Sequence, residues 1–149
     1  MGRDDYVTRV HDSVCAIDAA LWDALLASHP DASPFMRHAY LAALEQSTSA
    51  SPSTGWKPVC ICLERDGALL GACMLYEKDH SYGEYVFDWA WANAYQQHGL
   101  AYYPKATVAV PFTPVPGARL LARDAAARQA LIAAVIAYSQ DREMSSLHL

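Results

Sequence analysis

The chain has 149 residues, 53% hydrophobic and 18% charged, which is enough apolar side chain for one globular domain with a real core and too much for a disordered one. Its 11 Lys and Arg against 16 Asp and Glu leave a formal charge of −5, and the basic residues are scattered, which disfavours nucleic-acid binding by phosphate neutralisation. The opening segment MGRDDYVTRVHDSV carries charges where a secretory signal needs an apolar run, and no stretch approaches 18 uninterrupted apolar residues, so a cytoplasmic protein is expected.

In chain order, residues 6–10 read as a short first strand. Asp18 is placed to cap a first helix, because Leu21, Trp22, Leu25 and Leu26 recur at helical spacing until His29-Pro30 stops them. Ser33-Pro34 opens a second helix, with Ser as N-cap and Pro at the first helical position, carrying Phe35, Met36, Tyr40, Leu41 and Leu44. Residues 47–55 form a polar, turn-rich loop.

After that loop the period changes from helical to alternating. Val59, Ile61 and Leu63 face one way and Cys60 and Cys62 the other. A second strand over residues 68–76 follows Asp66-Gly67, a dipeptide suited to a type I′ turn because both central residues need positive φ. Cys15, Cys60, Cys62 and Cys73 include no CxxC and no zinc spacing, so no metal site is expected and the cysteines read as buried thiols. Further on come a β-branched run at residues 107–110, a Pro-rich loop at 111–117, and a long helix capped by Asp124 with Leu131, Ile132, Val135 and Tyr138 inward. Residues 145–149 read as the start of a strand. A domain seldom finishes inside an apolar alternation, so a longer protein is expected, with a bare sheet edge here that could pair with a second copy.

The densest chemistry lies in SYGEYVFDWAWANAY, residues 81–95, where six aromatics surround two carboxylates with no Lys or Arg. Ser81 and Glu84 have the spacing of a capping box, which predicts a helix from Ser81 to His98, stopped by Gly99. At 100° per residue, Glu84, Asp88, Trp91 and Tyr95 fall within about 60° of one another and share one stripe. Phe87, Ala90 and Ala94 form a second face and Tyr82, Val86, Trp89 and Asn93 a third, so the helix is expected to be largely buried. Two like charges one turn apart also ask for a cation nearby.

Two readings follow. In the functional one, Asp88, with or without Glu84, meets a substrate amine as a catalytic carboxylate, Trp91 and Tyr95 wall the pocket, and Tyr82 and Arg37 lie on the substrate side. In the structural one, Glu84 is only half of a capping box, Asp88 pairs with Arg37 or Arg119, and the aromatics are core. The hydrogen bonds of Asp88 discriminate between them. The six histidines show no HExxH spacing, and no GxSxG, GxGxxG or P-loop pattern occurs.

The segments SPFMRHAYLAALE, HSYGEYVFDWAWANAY and YYPKATVAVPFTPVPGARLL resemble the N-terminal portion of the FemAB-like predicted N-acyltransferases, proteins of the GNAT superfamily linked to peptidoglycan biosynthesis. The resemblance covers residues 33–121 and implies an α/β (α+β) fold, a GNAT-like mixed sheet flanked by helices, here a single incomplete domain over residues 1–149 that stops as its fifth strand begins. It also implies a reaction, the transfer of an acyl or aminoacyl group to an amine, with a peptidoglycan-precursor amine or another small molecule as acceptor. The donor's seat would lie at Val110, Phe112 and Thr113, with the loop to Arg119. No tightly bound cofactor is expected, and the candidate donors are acyl-CoA and aminoacyl-tRNA. PVPGARLL lacks the glycine-rich pyrophosphate loop of the simpler acetyltransferases, which argues against acetyl-CoA. FemAB-type relatives carry a second domain downstream, so this chain alone is expected to lack turnover. The alternative from a different class is a non-catalytic module on the same scaffold that holds a peptide or glycan amine.

Overall fold

The alternation that begins at Trp56 sets the architecture. The computed structural model describes residues 5–85 and 87–149. In it β2 (Trp56–Arg65) and β3 (Ala68–Lys78) form a long antiparallel hairpin, and Asp66 and Gly67 have φ of 51° and 78°, as the expected turn requires. β1 (Val7–His11) pairs antiparallel with β2. β4 (Lys105–Val108) and the two-residue β5 (Leu121–Ala122) pair antiparallel with different parts of β3, and β6 (Leu147–His148) lies parallel to β4. The strand order is β1-β2-β3-β4-β6, with β5 off that path.

Four α-helices accompany the sheet: α1 (Ala19–Ala27), α2 (His38–Gln46), α3 (Trp89–Gln97) and α4 (Ala125–Asp141). Asp18 and Asp124 cap as their positions predict, accepting from the Leu21 and Ala127 amides at 3.0 and 2.8 Å. The central hairpin is buried on both faces. Cys60, Cys62, Ala72, Met74 and Tyr76 pack with Trp22, Leu25, Leu26, Met36 and Leu41 on the side of α1 and α2. Val59, Ile61, Leu63, Cys73 and Leu75 pack with Leu131 and Val135 of α4 on the other. This six-stranded mixed sheet with four helices is compatible with a GNAT-like α+β fold. Three of the four cysteines are buried free thiols, whereas Cys15 is exposed.

Three expectations need correction. The second helix is broken: Ser33 caps only a 3₁₀ turn over Pro34–Met36, and α2 starts afresh after an extended Arg37. The cause is tertiary, since the Trp22 indole N–H takes the Met36 carbonyl at 2.8 Å and Asp23 accepts the His38 amide at 2.9 Å. β5 went unpredicted because two residues carry no periodicity, and it exists only through its pairing with Gly71 and Ala72. The third correction is the largest: the helix expected from Ser81 begins only at Trp89, although its stop at Gly99, with φ of 68°, is where the sequence puts it.

Candidate functional site

The register of β3 and β4 sets two lysines side by side. Lys78 pairs with Lys105, and Tyr76 with Thr107, on one face of the sheet. Both lysines are fully buried, and like charges directly opposite one another destabilise a sheet. The turn at residues 81–88 supplies the compensation. Lys105 Nζ donates to Glu84 Oε2 at 2.7 Å and to Asp88 Oδ2 at 2.5 Å. Thr107 Oγ1 donates to Glu84 Oε1 at 3.1 Å, and the Tyr102 hydroxyl donates to Asp88 Oδ2 at 2.5 Å. Lys78 forms no ion pair with either carboxylate among the described residues. Its ammonium donates to the Tyr82 carbonyl at 2.9 Å and sits 3.6 Å from the centre of the Trp56 ring.

This network is why the capping box does not form. Glu84 is drawn to Lys105 and Thr107 instead of a backbone amide, and Ser81 Oγ lies 2.7 Å from the Tyr103 hydroxyl. Gly83 and Tyr85 are left-handed, with φ of 81° and 59°. A Cβ on Gly83 would meet the Phe112 ring at 2.7 Å and Trp56 at 3.1 Å, so the turn passes through a gap that only glycine fits. Asp88 occupies the N-cap position of α3, yet its side chain makes no cap and points its charge at Lys105.

The electrostatics follow from the geometry. Burial alone would raise the Asp88 carboxyl, but the hydrogen bonds from Lys105 and Tyr102 outweigh it and hold Asp88 at about 2. Burial pulls Lys78 down to about 8; Glu84 opposes that pull and the neighbouring Lys105 adds to it. His148 is lowered by burial and by Lys105, against the attraction of Asp88 and Glu84. The Tyr102 hydroxyl is pushed up by burial and by its bond to Asp88.

β4 and β6 pair at Ala106↔Leu147 and Thr107↔His148. Beside that pair opens a cleft of about 290 Å³, lined by Glu84, Thr107, Val110, Thr113, Arg119 and His148 among others. Glu84, Thr107, Thr113, Arg119 and His148 bring polar groups to a wall completed by apolar residues of the strand and the Pro-rich loop. A neighbouring cavity of about 250 Å³ shares Arg119 and adds Arg128. At the first turn of α4 the Asp124 carboxylate accepts from the Ala127 amide.

The sequence-derived site residues therefore separate. Glu84 and Asp88 do converge, though through Lys105 and not on a shared helix face. The cation they ask for is neither Arg37 nor Arg119. Arg37 lies 4.0 Å from Asp23 and lines a different hollow, while Arg119 donates to the Val115 and Ala118 carbonyls of its own loop. Neither α3 nor any ring of the turn before it is buried: in the helix Trp91 is 67% exposed and Trp89 also faces outward, and ahead of it Phe87 is 83% exposed and Tyr82 faces outward, so these rings form neither core nor pocket wall. Val86 lies outside the described residues. Tyr95 packs its ring on Tyr102, with centroids 5.1 Å apart, and donates to the Ser145 carbonyl at 3.4 Å. Val110, Thr113 and Arg119 line the cleft, whereas Phe112 packs against Trp56 and is not among its lining. Sequence reasoning missed Lys105, Tyr102, Lys78 and His148. The one available signal was Lys105 two residues before Thr107 at the start of a β-branched run, an odd place for a charge.

The sequence matches the model of a family described as FemAB-like, peptidoglycan biosynthesis/recognition, over residues 13–149. No curated protein and no solved structure gives a match. Among the described residues, no helix is long and apolar enough to cross a membrane.

Proposed function

Because this chain belongs to the FemAB-like family, whose role is tied to peptidoglycan, we propose that it is an N-acyltransferase that moves an acyl or aminoacyl group from an activated carrier to an amine of a peptidoglycan precursor. One observation carries the reading: two carboxylates, Glu84 on the wall of the cleft beside the β4–β6 pair and Asp88 behind it, are both paired with one buried lysine.

The chemistry matches what such a transfer needs. An acyl donor presents an apolar chain and an electrophilic carbonyl, for which Val110, Thr113 and the Pro-rich loop offer a seat, with Arg119 at its rim for the carrier's anionic groups. The acceptor arrives as an ammonium and must lose a proton before it can attack. Glu84 reaches the cleft and receives that ammonium. Asp88, deeper and bound to Lys105 and Tyr102, fixes the charge of the whole group.

The test follows labelled acyl groups from aminoacyl-tRNA or an acyl thioester to a peptidoglycan stem peptide bearing a free amine. Amide product that is lost in Glu84→Gln and reduced in Asp88→Asn supports the proposal. Retention of the peptide without donor consumption favours the second reading, a recognition module, which the family description also accommodates.

A further inference from the structure

His148 is the one histidine on the cleft wall, and it stands directly across the β4–β6 pairing from Thr107, which holds Glu84. Its Nε2 faces inward: 3.0 Å from Ser146 Oγ, 3.4 Å from the Tyr102 hydroxyl oxygen and 4.0 Å from Asp88 Oδ2. These partners determine where the imidazole proton sits. The Tyr102 proton is committed to Asp88 at 2.5 Å, so toward His148 the phenol offers only a lone pair, and the Asp88 carboxylate can only accept. Ser146 Oγ can accept as well as donate, so the tautomer that serves all three partners carries the hydrogen on Nε2 and leaves the lone pair on Nδ1. Nδ1 bonds to no described residue, and it is not among the buried unpaired atoms, which are His11 Nε2, Tyr76 OH and Asp88 Oδ1. It therefore keeps solvent access, on a residue that lines the cleft.

We propose that His148 is the cleft-facing proton acceptor for the amine, with Asp88 and Tyr102 acting as positioning residues that orient it from behind. This rests on the acyltransferase reading. In the step, the amine nitrogen forms a bond to the acyl carbon, the bond from that carbon to the carrier's sulfur or oxygen breaks, and the carrier leaves with the electron pair. The acceptor's first ammonium proton is released to solvent before attack; the second, lost by nitrogen as the amide forms, passes to Nδ1 and is returned to the departing thiolate or alkoxide, so charge and atoms balance. The groups facing the ring are Lys105 and Thr107 from β4, Glu84 and Asp88 from the 81–88 turn, and Tyr102. Burial and the Lys105 charge keep the imidazole neutral and able to accept near neutral pH. The arrangement also explains why Asp88 is not itself the acceptor: it is held at about 2 and lies behind the ring.

Two measurements test this. The first needs no activity: diethyl pyrocarbonate, which acylates a neutral imidazole lone pair, is applied to the full chain, and labelled histidines are located by mass spectrometry with exposed His98 as the reference. His148 is expected to react, with a rate that falls as pH drops through its titration and that changes in Tyr102→Phe. An unreactive His148 beside a reactive His98 overturns the proposal. The second compares His148→Gln with wild type in the transfer assay. A loss of about 100-fold or more in kcat with KM little changed, and loss of the acidic limb of the pH profile, is expected. A kcat within threefold of wild type overturns it. If wild type transfers nothing, the acyltransferase reading fails by that result, while the labelling still decides whether His148 presents its lone pair.

Discussion

Lys105 Nζ lies 2.5 Å from Asp88 Oδ2, with both side chains withdrawn from solvent, and this pair ties the 81–88 turn to the start of β4. A buried ion pair is weak support for stability as such, but breaking one side of it is costly because the other charge is left behind. Lys105→Met strands two carboxylates and is expected to cost about 3–5 kcal/mol in urea unfolding. Asp88→Asn leaves Lys105 its bond to Glu84, so its cost should be smaller, about 1–3 kcal/mol. Equal losses in the two variants would mean that the three groups do not act as described.

The same pair sets an acid limit. The folded carboxyl of Asp88 is held at about 2, below its ordinary 3.8, so its contribution to stability is fully present above about 4 and is lost as pH falls from there through about 2. Unfolding followed against pH should show wild type losing stability in that window and Asp88→Asn losing less. A wild-type curve that is flat between pH 4 and 2 would contradict the pairing.

Lys78 works in the opposite sense. Its folded value is lowered to about 8 from 10.5, so the unfolded chain binds more protons than the folded one above pH 8, and stability rises with pH there. The rise is cut off near pH 10, where unfolded tyrosines begin to ionise while folded Tyr138 does so only at about 12. Lys78→Met, which keeps the length of the stem, should abolish the rise between about 8 and 10 and leave the protein no less stable at neutral pH. A rise that persists in Lys78→Met belongs to another group.

Two glycine substitutions separate strain from crowding. Gly67 has positive φ, but a methyl group added there would meet nothing within 4 Å, so Gly67→Ala should cost about 1 kcal/mol. Gly83 adds a collision with Phe112 and Trp56 to a similar φ, so Gly83→Ala should cost about 2 kcal/mol or more and loosen the Glu84 turn. Chemical denaturation compares them, and equal costs would remove the crowding argument.

The aromatic surface yields the last contrast. Trp91→Ala and Phe87→Ala should change stability by no more than about 0.5 kcal/mol, because both rings stand in solvent. Trp22→Ala should cost about 3–5 kcal/mol, since that ring is fully buried and its N–H holds the Met36 carbonyl. A large loss at Trp91 would mean that α3 packs differently.

By itself the sequence determined those features that neighbours along the chain decide. The caps at Asp18 and Asp124, the turn at Asp66-Gly67, the stop at Gly99 and the two faces of β2 are all set by local dihedral preference and period. The tertiary structure alone decided the site. Ser81 and Glu84 carry a helix-start pattern worth about 1 kcal/mol, which a buried lysine 21 residues away overrides because an unpaired ammonium in the core costs several times more. That lysine is buried only through its register opposite Lys78, and His148 meets Asp88 only because β6 lies parallel to β4. Such pairings carry no local sequence signature, since the residues involved are brought together by strand order and not by spacing.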